Sequence, residues 1–380
     1  MDRFKIRHII ILGVILIGAA GCHTEKKSDD SVFPLTRVLK GEIKAKLSDI
    51  ADSVRFIALE TTDSCLLGGY SGVLCVNERG ILIFGGEGLY FFRLDGTFVR
   101  NFGQIGRGPG EFNRIRGAYL GEKAIYLLEG DRQKIIQYGY DGSLQQEMDC
   151  PGITSVSQGV FINDSLIVMA ETEYTDEGMK SWIGLYCDGK LKTKKLAFQD
   201  RQITKPDNLG AVSIYPLGNE WVYVNNYTDT IYRIDMDLNL RVGWVLDFGG
   251  FVPDRSVWSQ YASWTELCKT SDIYNLEWYE TGRFICFSAL WGNRIWHCIW
   301  DKKEQKTVQS IGITDADNDY SFELEDDLYN TGLTFYPDEV NANLYFYNDF
   351  SEQGLAYIQK LGIDLQEEDN PVIRLVYLKK

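Results

Sequence analysis

Residue types that commonly carry catalysis are scarce in this sequence. It holds three histidines, and only His297 lies outside the first thirty residues, within the apolar run IWHCIW. A Ser-His-Asp triad would have to use this histidine, yet the sequence has no GxSxG motif, which in many hydrolases presents the serine on a sharp turn. We therefore interpret His297 as a packed strand residue, and the sequence identifies no catalytic residue.

Metal-binding patterns are equally weak. Asp315, Asp317 and Asp319 alternate as in a calcium loop, but an EF-hand would need Gly and Glu where the chain has Tyr320 and Asp326. No two cysteines have the CxxC spacing of a zinc or redox motif. We predict no metal site and no cofactor, with calcium left open although no motif supports it.

A glycine-rich segment, GQIGRGPGEF, runs from Gly103 to Phe112. Glycines spaced in this way let a backbone turn tightly where side chains would clash. A phosphate-binding loop would need a strand before the glycines and a helix after them, together with a Lys-Ser/Thr pair or a distal acidic residue. Strand-like runs flank this segment on both sides, so we interpret it as a connection between β-sheet units and not as a nucleotide site.

The N-terminus has the pattern of an export signal. Three basic residues precede an apolar run from Ile9 to Ala20, and small residues lead into Cys22. The run is too short for a transmembrane helix, which needs about 20 residues. We predict a signal peptide over 1–21, a lipid on Cys22, and a position at a bacterial membrane facing the periplasm or the cell exterior. Alternatively, the signal peptide is an ordinary one and Cys22 has no role.

Composition indicates a folded protein that does not bind nucleic acid. The formal net charge of -15 repels a phosphate backbone, and a hydrophobic content of 44% is enough for a packed core. Besides Cys22, seven of the eight cysteines remain. Because seven is odd, at least one thiol stays unpaired within the chain, and most lie in apolar runs where a small buried side chain is the usual role.

After residue 53, short β-branched and aromatic runs return about every 45–65 residues, a period expected for propeller blades. Six such units are present, each with an apolar run ahead of a second run, and in the first five a turn follows the second run. Asp-Gly favours a two-residue hairpin between antiparallel strands, and two later units lack the glycine. The turn residues of the first five units are Asp95-Gly96, Asp141-Gly142, Asp188-Gly189, Asp237 and Asp301.

These units predict an all-β fold, a six-bladed NHL-like β-propeller over residues 51–380. Val54–Leu59 precedes the first unit and Val372–Leu378 ends the last, so pairing these strands would close the ring and remove its exposed edges. The charged stretch at 22–50 is predicted to be a tether between the lipid and the propeller. Apolar spacing after Pro253 predicts a helix packed over one face.

The loop GQIGRGPGEF has the form G-x-x-G-x-G-P-G-E-F/Y, while VRFIALETT (Val54–Thr62) and EEDNPVIRLVYLK (Glu367–Lys379) lie at the two ends of the repeat region. Together these segments resemble a family of six-bladed β-propeller lipoproteins of Bacteroidetes, which is itself similar to NHL-repeat propellers. The resemblance implies a propeller fold and an envelope location, with no settled reaction. The turns at Asp237 and Asp301 depart from the pattern, which leaves the blade limits open there.

In a propeller, the connections between blades and those between second and third strands emerge at the same end of the ring, where ligands usually bind over the channel. The sequence places polar and aromatic residues there that suit a glycan, a peptide or a partner protein. Ordinary loop composition would also explain them. The predicted ligand-binding residues are Arg107, Glu111, Asp131, Arg132, Asn226, Tyr227, Trp291, Asn293 and Asp349.

Two functions from different classes follow. In the first, the protein is an envelope-anchored binding or scaffold module. In the second, it is a divalent-metal-assisted hydrolase or lactonase whose channel is lined by carboxylates and amides. Carboxylates from three blades converging in the channel would favour the enzyme, whereas aromatic residues and arginine at the channel mouth would favour the binding module.

Overall fold

A computed structural model describes residues 31–68, 71–86, 88–153, 155–204, 212–252, 270–314, 324–328, 356, 358–366 and 368–380. The signal peptide, Cys22, the helix predicted after Pro253, the run from Asp315 to Asp319, and Asp349 lie outside these residues. The described residues form five sheets with four consecutive strands each, one of which gains a fifth strand, and a separate pair of strands.

The elements follow one another simply along the chain. Ahead of the blades lie β1 (Val32–Phe33), α1 (Leu35–Leu39), α2 (Leu47–Ile50) and β2 (Ala51–Ala58). Blade one contains β3 (Ser71–Asn77), β4 (Gly80–Gly85), β5 (Gly88–Phe92) and β6 (Phe98–Phe102). Blade two contains β7 (Ile115–Leu120), β8 (Ala124–Glu129), β9 (Lys134–Gly139) and β10 (Leu144–Asp149).

The remaining blades repeat this order of four antiparallel strands. Blade three contains β11 (Val156–Phe161), β12 (Leu166–Thr175), β13 (Gly178–Cys187) and β14 (Lys190–Asp200). Blade four contains β15 (Val212–Leu217), β16 (Glu220–Asn225), β17 (Thr230–Ile234) and β18 (Leu240–Leu246). Blade five contains β19 (Ile273–Glu280), β20 (Phe284–Trp291), β21 (Arg294–Asp301) and β22 (Lys306–Thr314), and β23 (Val372–Leu378) lies near the C-terminus.

The first strands of successive blades pack beside one another and line a central channel: β3 contacts β7, β7 contacts β11, and β11 contacts β15. Their backbones approach closely. A Cβ atom added to Gly117 in β7 would lie 2.3 Å from the carbonyl oxygen of Gly159 in β11. No side chain fits there, so the packing requires glycine. This arrangement is a β-propeller and confirms the predicted all-β propeller fold.

The apolar runs that identified the first five units are the second strands of the blades. All six residues of β8 are buried, as are five of the six in β4. A strand covered by neighbouring blades on both faces is apolar without alternation, which makes it conspicuous in a sequence. By contrast, five of the six residues of β7 are only half-buried because this strand faces the channel.

The Asp-Gly turns are not all of the predicted two-residue type. Asp188 (φ 49°) and Gly189 (φ 71°) form such a turn, with positive φ at both positions. In blade one, only Gly96 has positive φ, and the N–H of Arg93 donates to the carbonyl of Thr97 at 2.9 Å, so three residues form the turn. Blade two has the same three-residue turn, with the N–H of Gly139 donating to the carbonyl of Ser143 at 2.8 Å. In both turns the aspartate keeps negative φ, and its carboxylate accepts the backbone N–H two residues later.

Blade four keeps the three-residue turn without its glycine, whereas the turn of blade five has four residues, 302–305. Leu238 (φ 58°) and Gln305 (φ 51°) occupy the left-handed position there. A side chain at positive φ is strained. Leu238 is fully buried in the core shared by blades three and four, so its packing offsets that strain.

Residues 31–50 pack on the outside of the ring, which differs from the tether predicted over 22–50. Strand β1 pairs in parallel with β18, and α1 contacts β21 and β22. Further along, Ile43 pairs with Ser310 and Lys46 pairs with Glu325. The physical reason is a set of apolar side chains that are fully buried against blades four and five, namely Phe33, Leu35, Val38 and Leu39.

Phe33 is the centre of this contact. Four aromatic rings surround it, all edge-on, with ring centroids at 4.9 Å (Trp278), 5.4 Å (Phe287), 5.8 Å (Trp300) and 6.0 Å (Trp244). Edge-to-face geometry at these distances is favourable beyond the area that it buries. Phe33 therefore joins the N-terminal segment to blades four and five.

Strand β2 pairs antiparallel with β23, from Ala51 opposite Leu378 to Ala58 opposite Val372. Arg374 in β23 is buried and forms an ion pair with the buried Asp326 at 3.5 Å. The two ends of the repeat region therefore meet in space. The structure shows five blades and this separate pair of strands, and residues 329–355, which lie between them in sequence, are outside the described part.

The cysteines and helices of the described residues are simple to account for. The six described cysteines are free thiols, and all except Cys187 are buried. No helix in the described ranges is long and apolar enough to cross a membrane.

Replacing Phe33 with alanine should destabilise the protein by about 3–5 kcal/mol, because it empties a filled aromatic site in the core. Val32 in the same strand is 37% exposed, so Val32→Ala is the matched control and should change stability by about 0.5 kcal/mol or less. Denaturant unfolding followed by tryptophan fluorescence measures both variants. Equal stability of the two variants would contradict the anchoring role of Phe33.

Candidate functional site

Strand direction places two sets of connections at one end of the ring. Each first strand begins at that end, and each second strand returns to it, so the connections between blades and those between second and third strands lie together. We call this the loop end. Eight of the nine predicted ligand-binding residues are described, and all lie there: Arg107, Glu111, Asp131, Arg132, Asn226, Tyr227, Trp291 and Asn293.

Arg132 holds the glycine-rich loop in place. Its Nη1 donates to the carbonyl oxygens of Arg107 at 3.1 Å and Gly108 at 3.2 Å, and its Nη2 donates to the carbonyl of Glu111. Its Nε also lies 3.7 Å from the carboxylate of Glu129. The guanidinium is therefore occupied by the protein itself, and its contacts position the loop on blade two.

Glu111 closes the loop from the other side. Its carboxylate accepts from the Gln104 amide at 2.6 Å and from the Gly108 N–H at 2.7 Å. The hydrogen bonds from Gln104 and Gly108 lower the pKa of Glu111 below its ordinary value of 4.5. The predicted residues Glu111 and Arg132 are thus brought together, and both stabilise the shape of the loop.

Glu129 shows why this loop needs no ligand to stay ordered. This carboxylate is fully buried at the end of β8 and accepts the backbone N–H groups of Asn113 and Arg114, each at 3.3 Å, and of Arg132 at 2.6 Å. These three hydrogen bonds join the end of β8 to the residues that follow the loop and to Arg132. The sequence does not mark Glu129 as a functional residue, because Glu129 ends an otherwise apolar run.

Asn226 and Tyr227 lie between blades. The amide of Asn226 donates to the carbonyl of Leu276 at 2.7 Å, in the first strand of blade five. The hydroxyl of Tyr227 lies 3.4 Å from that of Tyr174 in blade three. Both predicted residues are buried, and their contacts connect neighbouring blades.

The other predicted residues are more open to solvent. Trp291 is half-buried and packs against Phe251, with ring centroids 5.5 Å apart. Asp131, Arg107 and Asn293 are exposed, and Asp131 forms an ion pair with Arg114 at 3.9 Å. These four side chains remain predicted ligand contacts.

The channel contains a cavity of about 720 Å³, lined by the first strands of blades one to four together with two residues of β12. This volume suits a small-molecule ligand. None of the eight described predicted residues lines it. Tyr227 comes nearest through its hydroxyl contact with Tyr174, which does line it.

Arg116 is the single charged residue among the described residues that line this cavity. Its Nε is buried and has no hydrogen-bond partner in the described structure. Burial, followed by the charge of Arg114, lowers the pKa of Arg116. The side chain lies against Gly130 at the loop end, where a Cβ atom would approach its Cγ to 2.7 Å.

The rest of the lining is uncharged. Hydroxyl groups come from Ser155, Ser157, Thr172 and Ser213, and aromatic rings from Tyr119 and Phe161, which stack at 5.9 Å. Burial raises the pKa of the Cys75 thiol to about 11, so it is protonated at neutral pH and is a poor nucleophile.

No described residues form a group of three or more His, Cys, Asp or Glu side chains that could hold a metal ion. His297 is buried within β21, opposite Ser288 and Ile311, as predicted for a packed strand residue.

Sequence reasoning missed the cavity because it missed the first strands. IRGAYL and VSQGVF contain glycine and polar residues and lack a continuous apolar run. The sequence does carry one indication of the cavity, namely Arg116, which lies in a short strand-like segment directly after the glycine-rich loop.

A model of one protein family, described as a domain of unknown function (DUF4934), matches residues 31–377. Because the match spans most of the sequence, the chain belongs to that family. No curated protein matches the sequence.

Three solved structures illustrate the fold. A candidate exported protein from Bacteroides fragilis is 20% identical, with a TM-score of 0.62 over 88% of this chain and 97% of its own. A member of the DUF4221 family from Bacteroides vulgatus is 8% identical (TM-score 0.45, 89% and 99% covered), and virginiamycin B lyase from Staphylococcus aureus is 12% identical (TM-score 0.36, 86% and 99% covered). The first similarity shows the fold alone, and the other two are too distant to carry an argument.

The contribution of Glu111 to stability should depend on pH. Because its pKa is lowered in the folded protein, the stabilisation is complete above about pH 5 and is lost as the pH falls through the folded value. Thermal melting should therefore show Glu111→Gln less stable than the wild type at pH 7, with the difference shrinking as the pH falls below 4.5, the ordinary pKa of this carboxyl.

Glu122→Gln changes the same charge at the opposite end of the ring, and its difference from the wild type should stay small throughout. A Glu111→Gln difference that persists at low pH would contradict the proposed role of the carboxylate.

Proposed function

We propose that this protein, which belongs to the DUF4934 family, is a binding or scaffold module of the bacterial cell envelope. A lipid on Cys22 holds it at a membrane, and the loop end of a six-bladed propeller recognises a glycan, a peptide or a partner protein. The observation that carries this proposal is the channel cavity, whose described lining combines Arg116, hydroxyl groups and aromatic rings and includes no carboxylate.

The sixth blade is inferred from the pair β2 and β23. In the five complete blades, the third strand pairs with the fourth at the outside of the ring. The antiparallel register of β23 with β2 gives the same relation, with β23 as third strand and β2 as fourth. A blade made from both chain ends would close the ring and cover the faces that the first and fifth blades would otherwise expose.

An envelope location is supported by two separate features. The sequence begins with a basic and apolar segment that ends in small residues before Cys22. The structurally similar protein from Bacteroides fragilis is described as a candidate exported protein. The packing of residues 31–50 on the ring leaves 22–30 as the tether between the lipid and the fold.

The described lining supports binding over metal-assisted hydrolysis. A divalent ion is held by several carboxylate or carbonyl oxygens at bonding distance, whereas the charged group in the described lining is the cation Arg116. Amides such as Asn226 are engaged in contacts between blades.

Ligand binding at the loop end should raise the melting temperature of the protein when it is screened against glycans and peptides. The double variant Arg107→Ala, Asn293→Ala removes two exposed side chains of the loop end and should reduce the shift given by any ligand found. Arg93→Ala, Asn219→Ala makes the same changes in exposed turns at the opposite end and should not. Shifts with calcium, magnesium, zinc or manganese alone would instead favour the hydrolase.

Replacing Cys22 with alanine should release the protein from the membrane fraction of the producing cell, because a single folded domain without its acyl chains has no anchor. Fractionation followed by immunoblotting measures this. Cys65→Ala, which alters a buried cysteine of the fold, should leave the protein in the membrane fraction. Retention of the Cys22→Ala protein at the membrane would contradict lipid anchoring.

A further inference from the structure

Arg116 differs from the buried carboxylates of the described structure that have charged partners. Glu171 is fully buried and is paired with Lys194 at 2.6 Å. Glu280 binds Lys302 at 2.7 Å and also contacts Arg233. Each of these charges is compensated within the protein, as burial requires.

Arg116 has no such compensation. No hydrogen bond or ion pair joins its guanidinium to another residue of the described structure, and its Nε is shielded from solvent. Asp131 is close enough to act on its charge, but its ion pair is with Arg114 on the outer surface. A guanidinium has five N–H donors in a planar fork that fits an oxyanion. The cavity therefore offers an unused anion-binding group.

The surroundings of Arg116 extend this chemistry. Hydroxyl groups of Ser155 and Ser157 in blade three and Ser213 in blade four line the cavity near the beginnings of their strands, which is the loop end. Arg116 is the second residue of β7 and lies at the same level. Hydroxyls that donate and accept suit a ligand with several hydroxyl groups of its own.

Toward the other end of the channel the lining becomes aromatic. The rings of Tyr119 and Phe161 are nearly parallel, with an interplanar angle of 11°. The described lining is thus cationic and hydroxylated toward the loop end, and it carries the stacked rings of Tyr119 and Phe161, together with Asn77, toward the other end. This gradient would orient a ligand with its anionic group toward the loop end.

We propose that Arg116 and the serine hydroxyls at the same end of the cavity form a subsite for the oxyanion of a small hydroxylated ligand, such as the carboxylate of an acidic sugar or the phosphate of a sugar phosphate. The inference rests on the proposed binding function and names the chemical class of the ligand. Gly130 is a positioning residue, because its missing side chain leaves the space through which Arg116 reaches the cavity.

The test uses three sugars that differ at one carbon, namely galactose, galacturonate and galactose 6-phosphate. Isothermal titration of the wild-type protein should give at least about tenfold tighter binding of one or both acidic sugars than of galactose, since charged hydrogen bonds are stronger than neutral ones. The two acidic arms distinguish a carboxylate ligand from a phosphate ligand.

Arg116→Gln should abolish the preference for the acidic sugar while leaving the weaker binding of galactose unchanged. Arg100→Gln removes the same charge from an exposed position on the outer strand β6 and should leave the preference intact. Gly130→Ala keeps the charge but displaces Arg116, so it should also weaken the preference.

Thermal melting separates this role from a structural one. Since Arg116 is a half-buried charge whose Nε has no partner in the described structure, Arg116→Gln should melt at the same temperature as the wild type or higher. A lower melting temperature would show that Arg116 stabilises the fold and would overturn the proposal.

Equal affinity of the wild type for all three sugars, or loss of preference in Arg100→Gln, would overturn it as well. In those cases the binding function would still be supported if the double variant Arg107→Ala, Asn293→Ala lost the rise in melting temperature that a glycan or peptide gives the wild type. The opposite result is a preference for acidic sugars that Arg116→Gln removes but the double variant Arg107→Ala, Asn293→Ala does not change. It would support the subsite and count against recognition by the exposed loops.

Discussion

Close backbone packing around the channel is the constraint on which the rest of the structure depends. First strands from neighbouring blades meet at Gly117 and Gly159, where a side chain would collide with a carbonyl oxygen 2.3 Å away. Glycine is therefore required at this contact, while large aromatic residues fill the space between blades farther out. The first strands of blades one to four surround the channel cavity.

Buried charges are distributed according to this layout. Between and within blades, the buried carboxylates accept hydrogen bonds or ion pairs from neighbouring residues and so fix the loops and strands around them. Examples are Glu129, Glu171 and Glu280. Arg132 uses its guanidinium in the same way to hold the glycine-rich loop. Arg116, the single charged residue of the described channel lining, is not engaged in this way, which separates a binding role from a structural one.

The N-terminal segment adds a second level of organisation. Phe33 inserts among four aromatic rings of blades four and five, and the chain then passes along blade five before β2 pairs with β23. The start of the described chain is therefore bound to three separate parts of the fold. A short path from the proposed lipid to the ring would keep the propeller near the membrane surface.

Much of the fold follows from the sequence, because second strands such as β8 are covered on both faces and so are apolar throughout. The repeat period and the Asp-Gly turns likewise indicate a propeller before any coordinates are known. The tether boundary could not be read in this way, since the aromatic site that receives Phe33 is assembled from residues more than two hundred positions away.

The candidate site shows the same division. The sequence by itself determined that polar residues such as Arg107 and Asn293 would lie on connections at one end of the ring, because turn chemistry and strand alternation are local. Only the tertiary structure decided that Arg132 and Glu111 are occupied by the loop and that Arg116 lines the channel. The physical reason is that a charge is free or compensated according to its neighbours in space, and for Arg116 those neighbours come from several blades.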